Sequence, residues 1–233
     1  ENVFDFSLGN PSVPTPESFT DAAIRLLRTE EPVRLHGYSQ TLGIPSVKEK
    51  IAASLNRRFG MNYTAGHIFP ASGCAGAVAH ALRVVTKPGD KVLVQAPFFP
   101  EYIPYINDTG AQIEIIPARF EDFQINFEAL EQMLQPGVAA ILINSPNNPS
   151  GVAYTGETLE KLSSLLAAKS KELGYNLFLI SDEPYREIAF GGREIPYPAR
   201  FYPHTLTCYS FSKSLSVPGE RIGYVAVCPE CEH

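Results

Sequence analysis

Six short apolar runs, rich in β-branched residues and each closed by turn chemistry, punctuate the chain. They are KVLVQAP (91–97), QIEIIPA (112–118), AAILINSPNNPSG (139–151), YNLFLISDEP (175–184), TLTCYSFS (205–212) and GYVAVCP (223–229). Runs of this kind predict strands buried on both faces. Helical spacing fills the intervals. Ile44, Val47, Ile51, Leu55 and Phe59 share one helix face, residues 75–85 are compact and apolar, and residues 157–173 are amphipathic behind Thr155, a suitable N-cap. Strand alternating with helix predicts an α/β fold with a largely parallel sheet. The opening LGNPSVPTPES predicts an extended arm entering a helix capped near Thr15 or Ser18.

In open α/β sheets, ligands collect beyond the carboxyl ends of the strands. The residues just after the apolar runs are therefore the candidate site. They include Phe98 and Phe99, Asn147 and Asn148, Asp182 and Tyr185, and Ser210, Ser212 and Lys213. An aromatic ring, a carboxamide, a carboxylate, a phenol, hydroxyls and an amine are thus expected in one crevice.

Composition narrows the partner. The 233 residues are 44% hydrophobic, enough to bury a large core. With 25 acidic and 19 basic side chains the net charge is −6, and no basic stripe offers itself to nucleic acid or to an anionic membrane. A small molecule is the expected partner. No targeting segment or bilayer-length apolar run is read, so a cytoplasmic location is expected. Cys74, Cys208, Cys228 and Cys231 are too few and too irregular for a disulfide framework. Cys228-Pro-Glu-Cys231 with His233 has zinc-like spacing, but a structural site needs four ligands and no second pair is visible. A turn after a strand is the favoured reading, and no metal is expected. His36, His67, His80 and His204 lack a convincing partner and are assigned no catalytic work. Neither GxGxxG nor GxxxxGK[ST] follows a strand, which disfavours a nucleotide binder.

The candidate residues suit one chemistry. A lysine amine attacks a carbonyl when its ammonium is destabilised by desolvation or by a neighbouring cation, and Arg221 is near enough in sequence to Lys213 to supply that cation. Arg221 could equally pair with Glu220 or Glu187. A guanidinium with serine hydroxyls also receives a phosphate monoester, and the small-residue turn Ser72-Gly73-Cys74-Ala75 opening a helix adds backbone N–H donors. Aldehyde plus phosphate suggests pyridoxal 5′-phosphate. Asp182 then faces the ring nitrogen, Asn148 and Tyr185 the ring hydroxyl oxygen, and Phe99 the ring face.

The segments SPNNPSG (145–151), SDEPYREI (181–188) and SFSKSLSVPGERIGY (210–224), in this order, resemble the fold-type I pyridoxal-phosphate enzymes, specifically the class I/II aminotransferases. NNPSG or Ser-x-Ser-Lys alone is a common turn; their order and placement at successive strand ends carry the likeness. The resemblance implies a mostly parallel seven-stranded sheet in three α/β/α layers. It implies that Lys213 forms an aldimine with the cofactor, that Asp182 pairs with the pyridine nitrogen, and that Asn148 and Tyr185 contact the ring hydroxyl oxygen. Ser210 and Arg221 would hold the phosphate beside Gly73, Cys74 and Ala75, with Ser212 structural or a second phosphate contact and Phe99 over the ring. Cys74 replaces the hydroxyl residues often found at its position, where only its backbone N–H is needed. Tyr38, in HGYSQTLGIPSVKE, matches a tyrosine that reaches the neighbouring subunit's phosphate, so a homodimer is implied. Gly9 and Asn148 would lie near the substrate.

The implied activity is transfer of an amino group from an L-amino acid to a 2-oxo acid. A C–S β-lyase or aminocyclopropane-carboxylate-synthase-like enzyme would share the cofactor residues, and a non-catalytic cofactor-sensing regulator domain would share the fold. Residues 1–30 are expected to form the arm and first helix, and residues 31–233 the cofactor-binding large domain. The C-terminal small domain, which carries the family's α-carboxylate arginine, is expected to be absent.

Overall fold

The computed structural model describes residues 9–232. Residues 1–8 of the expected arm, and His233 of the zinc-like spacing, lie outside the described residues. In chain order the elements are α1 (Glu17–Thr29), α2 (Pro32–His36), α3 (Pro45–Phe59), β1 (Ile68–Ser72), α4 (Gly73–Val85), β2 (Lys91–Gln95) and α5 (Tyr102–Asn107). There follow β3 (Gln112–Ile116), α6 (Phe127–Met133), β4 (Val138–Asn144), α7 (Gly156–Leu173), β5 (Phe178–Asp182), β6 (Thr205–Ser210) and β7 (Ile222–Val227).

The strands form one seven-stranded sheet in the order β1-β7-β6-β5-β4-β2-β3. β7 pairs antiparallel with both β1 and β6, and the remaining pairings are parallel. Successive residues of the central strands feed opposite layers. Ala140 and Leu142 of β4 face a core with α4, and Ile141 and Ile143 face one with α7. Both sheet faces are therefore dry, which is why these strands read as unbroken apolar runs.

Thr155 caps α7 as its sequence position predicts, its side chain accepting from the Thr158 N–H. The entry to α1 differs from expectation. Neither Thr15 nor Ser18 caps it; the helix starts after Pro16 without a side-chain cap. Thr15 instead donates through Oγ1 to the Ser216 carbonyl at 3.0 Å. That bond ties the arm to the loop after Lys213, and the long-range contact outcompetes the local cap. The predicted apolar face of α3 is only partly covered. Leu55 is buried with Ala52, whereas Ile44 and Val47 stay exposed because α3 packs against the β1 edge of the sheet.

Candidate active site

The reversed strand sets the site. The carboxyl ends of β1, β5 and β6 lie along one edge of the sheet, and β7, running the other way, begins where they end. Ser72 pairs with Ile222 and Ser210 with Gly223, so Arg221 enters beside the residues that close β1 and β6. Gly223 sits where the backbones nearly touch: a Cβ there would fall 2.6 Å from the Tyr209 carbonyl oxygen and 2.8 Å from the Gly73 carbonyl carbon.

A cavity of about 360 Å³ opens at this edge. Lys213, Asp182, Tyr185 and Asn148 line it, as do Ser210, Ser212, Arg221, Phe99, Cys74, Ala75 and Gly9. Gly73 stands just behind, its α-carbon packed on the Arg221 guanidinium so closely that a Cβ would lie 2.6 Å from Nη2. Tyr38 is the predicted residue set apart from the others, fully exposed and outside the cavity.

At the amine end, Lys213 Nζ donates to the Gly9 carbonyl at 3.1 Å, drawing the arm across the crevice. At the anion end, Arg221 adopts a left-handed backbone with φ 53° and accepts the Gly73 N–H through its own carbonyl at 3.0 Å. Gly73 is thereby spent as a donor. Ser72, at the N-cap of α4, makes no side-chain cap bond, so the N–H groups of Cys74 and Ala75 remain at a helix N-terminus suited to an anion. Arg221 Nη1 donates to Pro218 O at 3.0 Å, while Glu187 is held by Arg58 and Arg186 rather than by Arg221. Ser210 is buried and accepts from the Ser212 N–H at 3.4 Å.

Asp182 closes β5 and is 6% exposed. Its Oδ2 accepts from the Tyr102 hydroxyl at 2.5 Å and its Oδ1 from the Cys74 thiol at 2.7 Å. Asn144, the last residue of β4, donates to the Asp182 carbonyl at 2.8 Å and accepts from the Asn148 N–H at 2.6 Å, coupling two of the predicted residues. Phe99 lies edge-on to Tyr102, ring centroids 5.8 Å apart. Burial raises the Tyr185 phenol above its usual range, with the Asp182 charge adding to the rise and an Asn148 hydrogen bond opposing it.

Two contributors, and the side-chain role of a third, are absent from the sequence reading. Tyr102 is hidden among the aromatics of PFFPEYIPY, although it lies only three residues beyond Phe99 and opens α5. Asn144 was signalled only by being polar at the end of an apolar strand. For Cys74 the sequence points to a backbone N–H alone, whereas its side chain also reaches Asp182.

Burial raises the Asp182 carboxyl above its ordinary value of 3.8, and the Cys74 and Tyr102 hydrogen bonds oppose the rise. The native state thus holds that proton more tightly than the unfolded chain. Stability from this group is full below 3.8 and is lost as pH rises through the native midpoint. In the cofactor-free protein, Asp182→Asn is expected to raise stability to urea at pH about 7.5 and to lose that advantage in acid. An equal or lower urea midpoint for the variant at the higher pH would refute this.

Among the described residues, no group of three or more His, Cys, Asp or Glu side chains is placed to hold a metal ion, and no helix is long and apolar enough to cross a membrane. The site defines an α/β protein with a small-molecule crevice that joins an amine and a buried carboxylate to an anion cradle. The chain belongs to the class I and II aminotransferases, whose family model matches residues 1–232. The cofactor of that family is pyridoxal 5′-phosphate.

A probable aspartate/prephenate aminotransferase of Aquifex aeolicus is 32% identical over 236 residues, covering 98% of this chain and 57% of the relative. An amino transferase structure from Eubacterium rectale is 44% identical with a TM-score of 0.96, covering 99% of this chain and 58% of that one. The aspartate aminotransferase of Thermus thermophilus with maleate is 30% identical with a TM-score of 0.83, covering 96% and 56%. The chain therefore spans somewhat more than half the length of these relatives.

Proposed function

We propose that the protein is a pyridoxal-phosphate-dependent amino-acid aminotransferase, moving an amino group from an L-amino acid to a 2-oxo acid. The observation that carries the reading is the convergence of Lys213, Asp182 and Arg221 on one cavity at the open edge of the sheet. The cavity fits the cofactor: a buried carboxylate stands in one wall, and an uncapped helix N-terminus with a guanidinium stands in another. When bound, pyridoxal 5′-phosphate supplies an aldehyde for condensation with an amine and a protonated ring that draws electron density from the substrate Cα.

In this reading Arg221, Ser210, Ser212 and the N–H groups of Cys74 and Ala75 hold the phosphate. Gly73 contributes by admitting Arg221 rather than by donating. Asp182 accepts the ring N–H, Asn148 and Tyr185 hydrogen-bond the ring hydroxyl oxygen, and Phe99 covers the ring. Lys213 would hold the aldehyde carbon, and its Nζ would carry the proton taken from the substrate Cα. Gly9 and Asn148 border the substrate. Of the described residues, 31–232 would form the cofactor-binding domain, with 9–30 as its arm and first helix. Tyr38 reaches the neighbouring site in a homodimer, which accords with its complete exposure. Four free cysteines suit a reducing compartment, so the cytoplasm is the proposed location.

The test mixes full-length protein, loaded with the cofactor, with a panel of L-amino acids. The expected result is loss of the visible cofactor absorbance and release of one 2-oxo acid per cofactor. Release of ammonia and pyruvate instead would assign a lyase.

A further inference from the structure

Asp182 sits where burial favours its neutral form, yet a neutral acid cannot pair by charge with a protonated ring nitrogen. We propose that Tyr102 and Cys74 are positioning residues that clamp both oxygens of Asp182 and keep the carboxylate ionised. The inference rests on the function proposed above.

The geometry carries it. The two donors come from different elements, Cys74 from the first turn of α4 and Tyr102 from the start of α5, and each takes a different oxygen. Protonating either oxygen would set a new hydrogen against one already there, so both bonds favour the charged form. Together they also stop the carboxylate from rotating. The cations of the same cavity, Lys213 and Arg221, donate to the Gly9 and Pro218 carbonyls instead, and the other titratable groups near Asp182 carry no positive charge. They are Cys208 on the adjacent strand β6, Glu183 next along the chain, and the phenols of Tyr105 and Tyr185. Asn144 holds only the Asp182 main-chain carbonyl. Cys74 and Tyr102 remain protonated donors at neutral pH, because burial and then the Asp182 charge push both well above their ordinary values. A thiol is the weaker donor, so Tyr102 has the larger share.

The experiment uses full-length, cofactor-free protein carrying carbon-labelled aspartate, with the Asp182 signal assigned by its loss in Asp182→Asn. Tyr102→Phe and Cys74→Ala are each expected to raise the carboxyl titration midpoint, and the double variant to raise it further. Pyridoxal 5′-phosphate should bind about tenfold more weakly to Tyr102→Phe, the scale of one lost hydrogen bond to a charged group. Cys74→Ser, which keeps a donor, should restore the midpoint lost in Cys74→Ala. Affinity for inorganic phosphate should not change in Tyr102→Phe, since Arg221 and the helix N–H groups remain. An unmoved midpoint in a double variant with native circular dichroism overturns the inference while leaving the function intact. Wild-type cofactor affinity in Asp182→Asn would overturn the function reading, and this inference with it.

Discussion

Lys213→Ala, in full-length protein supplied with pyridoxal 5′-phosphate, is expected to lose the absorbance of the lysine-bound cofactor and, if the proposed function holds, to transaminate about 10²- to 10⁴-fold more slowly, the usual range for one lost acid–base group. In the proposed function two tasks would disappear together: the covalent hold on the aldehyde carbon and the proton carrier at the substrate Cα. Neighbouring groups cannot replace it. The Tyr185 phenol is pushed above its usual range, and the Asp182 carboxylate is engaged on both oxygens. A small exogenous primary amine should restore part of the rate, because deletion of the side chain leaves room beside Gly9. Absorbance and turnover equal to wild type would remove Lys213 from the chemistry.

Arg186→Ala is expected to cost about 3–5 kcal/mol of stability, the scale for breaking a buried ion pair from one side. The Arg186 and Glu183 side chains are 3% and 1% exposed and meet at 2.8 Å. Ser181 donates to the other Glu183 oxygen at 2.8 Å, and Arg186 Nη2 donates to the Tyr224 hydroxyl at 3.3 Å. The guanidinium also lies over the rings of Tyr209 at 4.4 Å and Phe59 at 5.1 Å. Removing it strands the Glu183 charge, whose pKa burial already raises against the pull of Arg186. Arg186→Lys should recover only part of the loss, since an ammonium reproduces neither the fork nor the stacking. Replacing Glu183 and Arg186 together by leucine should cost less than Arg186→Ala alone. Urea unfolding measures all three; a loss below about 1 kcal/mol for Arg186→Ala would show that the pair is not coupled in this way. Tyr185 lies between Glu183 and Arg186, so the network also fixes the turn that carries a predicted cofactor contact.

Most of the sheet was legible because strands buried on both faces must be apolar throughout. β1 was not. It is an edge strand of five residues with Pro70 at its centre and one buried position, so neither alternation nor an apolar run marks it. Five of the six apolar runs are inner strands, and the sixth, β3, is the other edge, where Ile115 stays exposed instead of buried as predicted; α5 and α6 are too short to show a period. The site was legible wherever a residue followed a strand. Tyr102 and the Cys74 side chain were not, because their task depends on where α4 and α5 meet β5. The α1 cap failed for a related reason: Thr15 spends its hydroxyl on Ser216, a partner that only tertiary structure supplies.

The pairing of β1 with β7 reaches further than the anion cradle. Ser72 and Ile222 close a loop of about 150 residues, an entropic cost of a few kcal/mol. The cradle therefore needs β7 docked beside β1, the pairing most distant in sequence among the described strands. Phosphate affinity becomes a reporter of completed topology: a chain arrested before that closure has the lysine and the aspartate but nowhere to seat an anion.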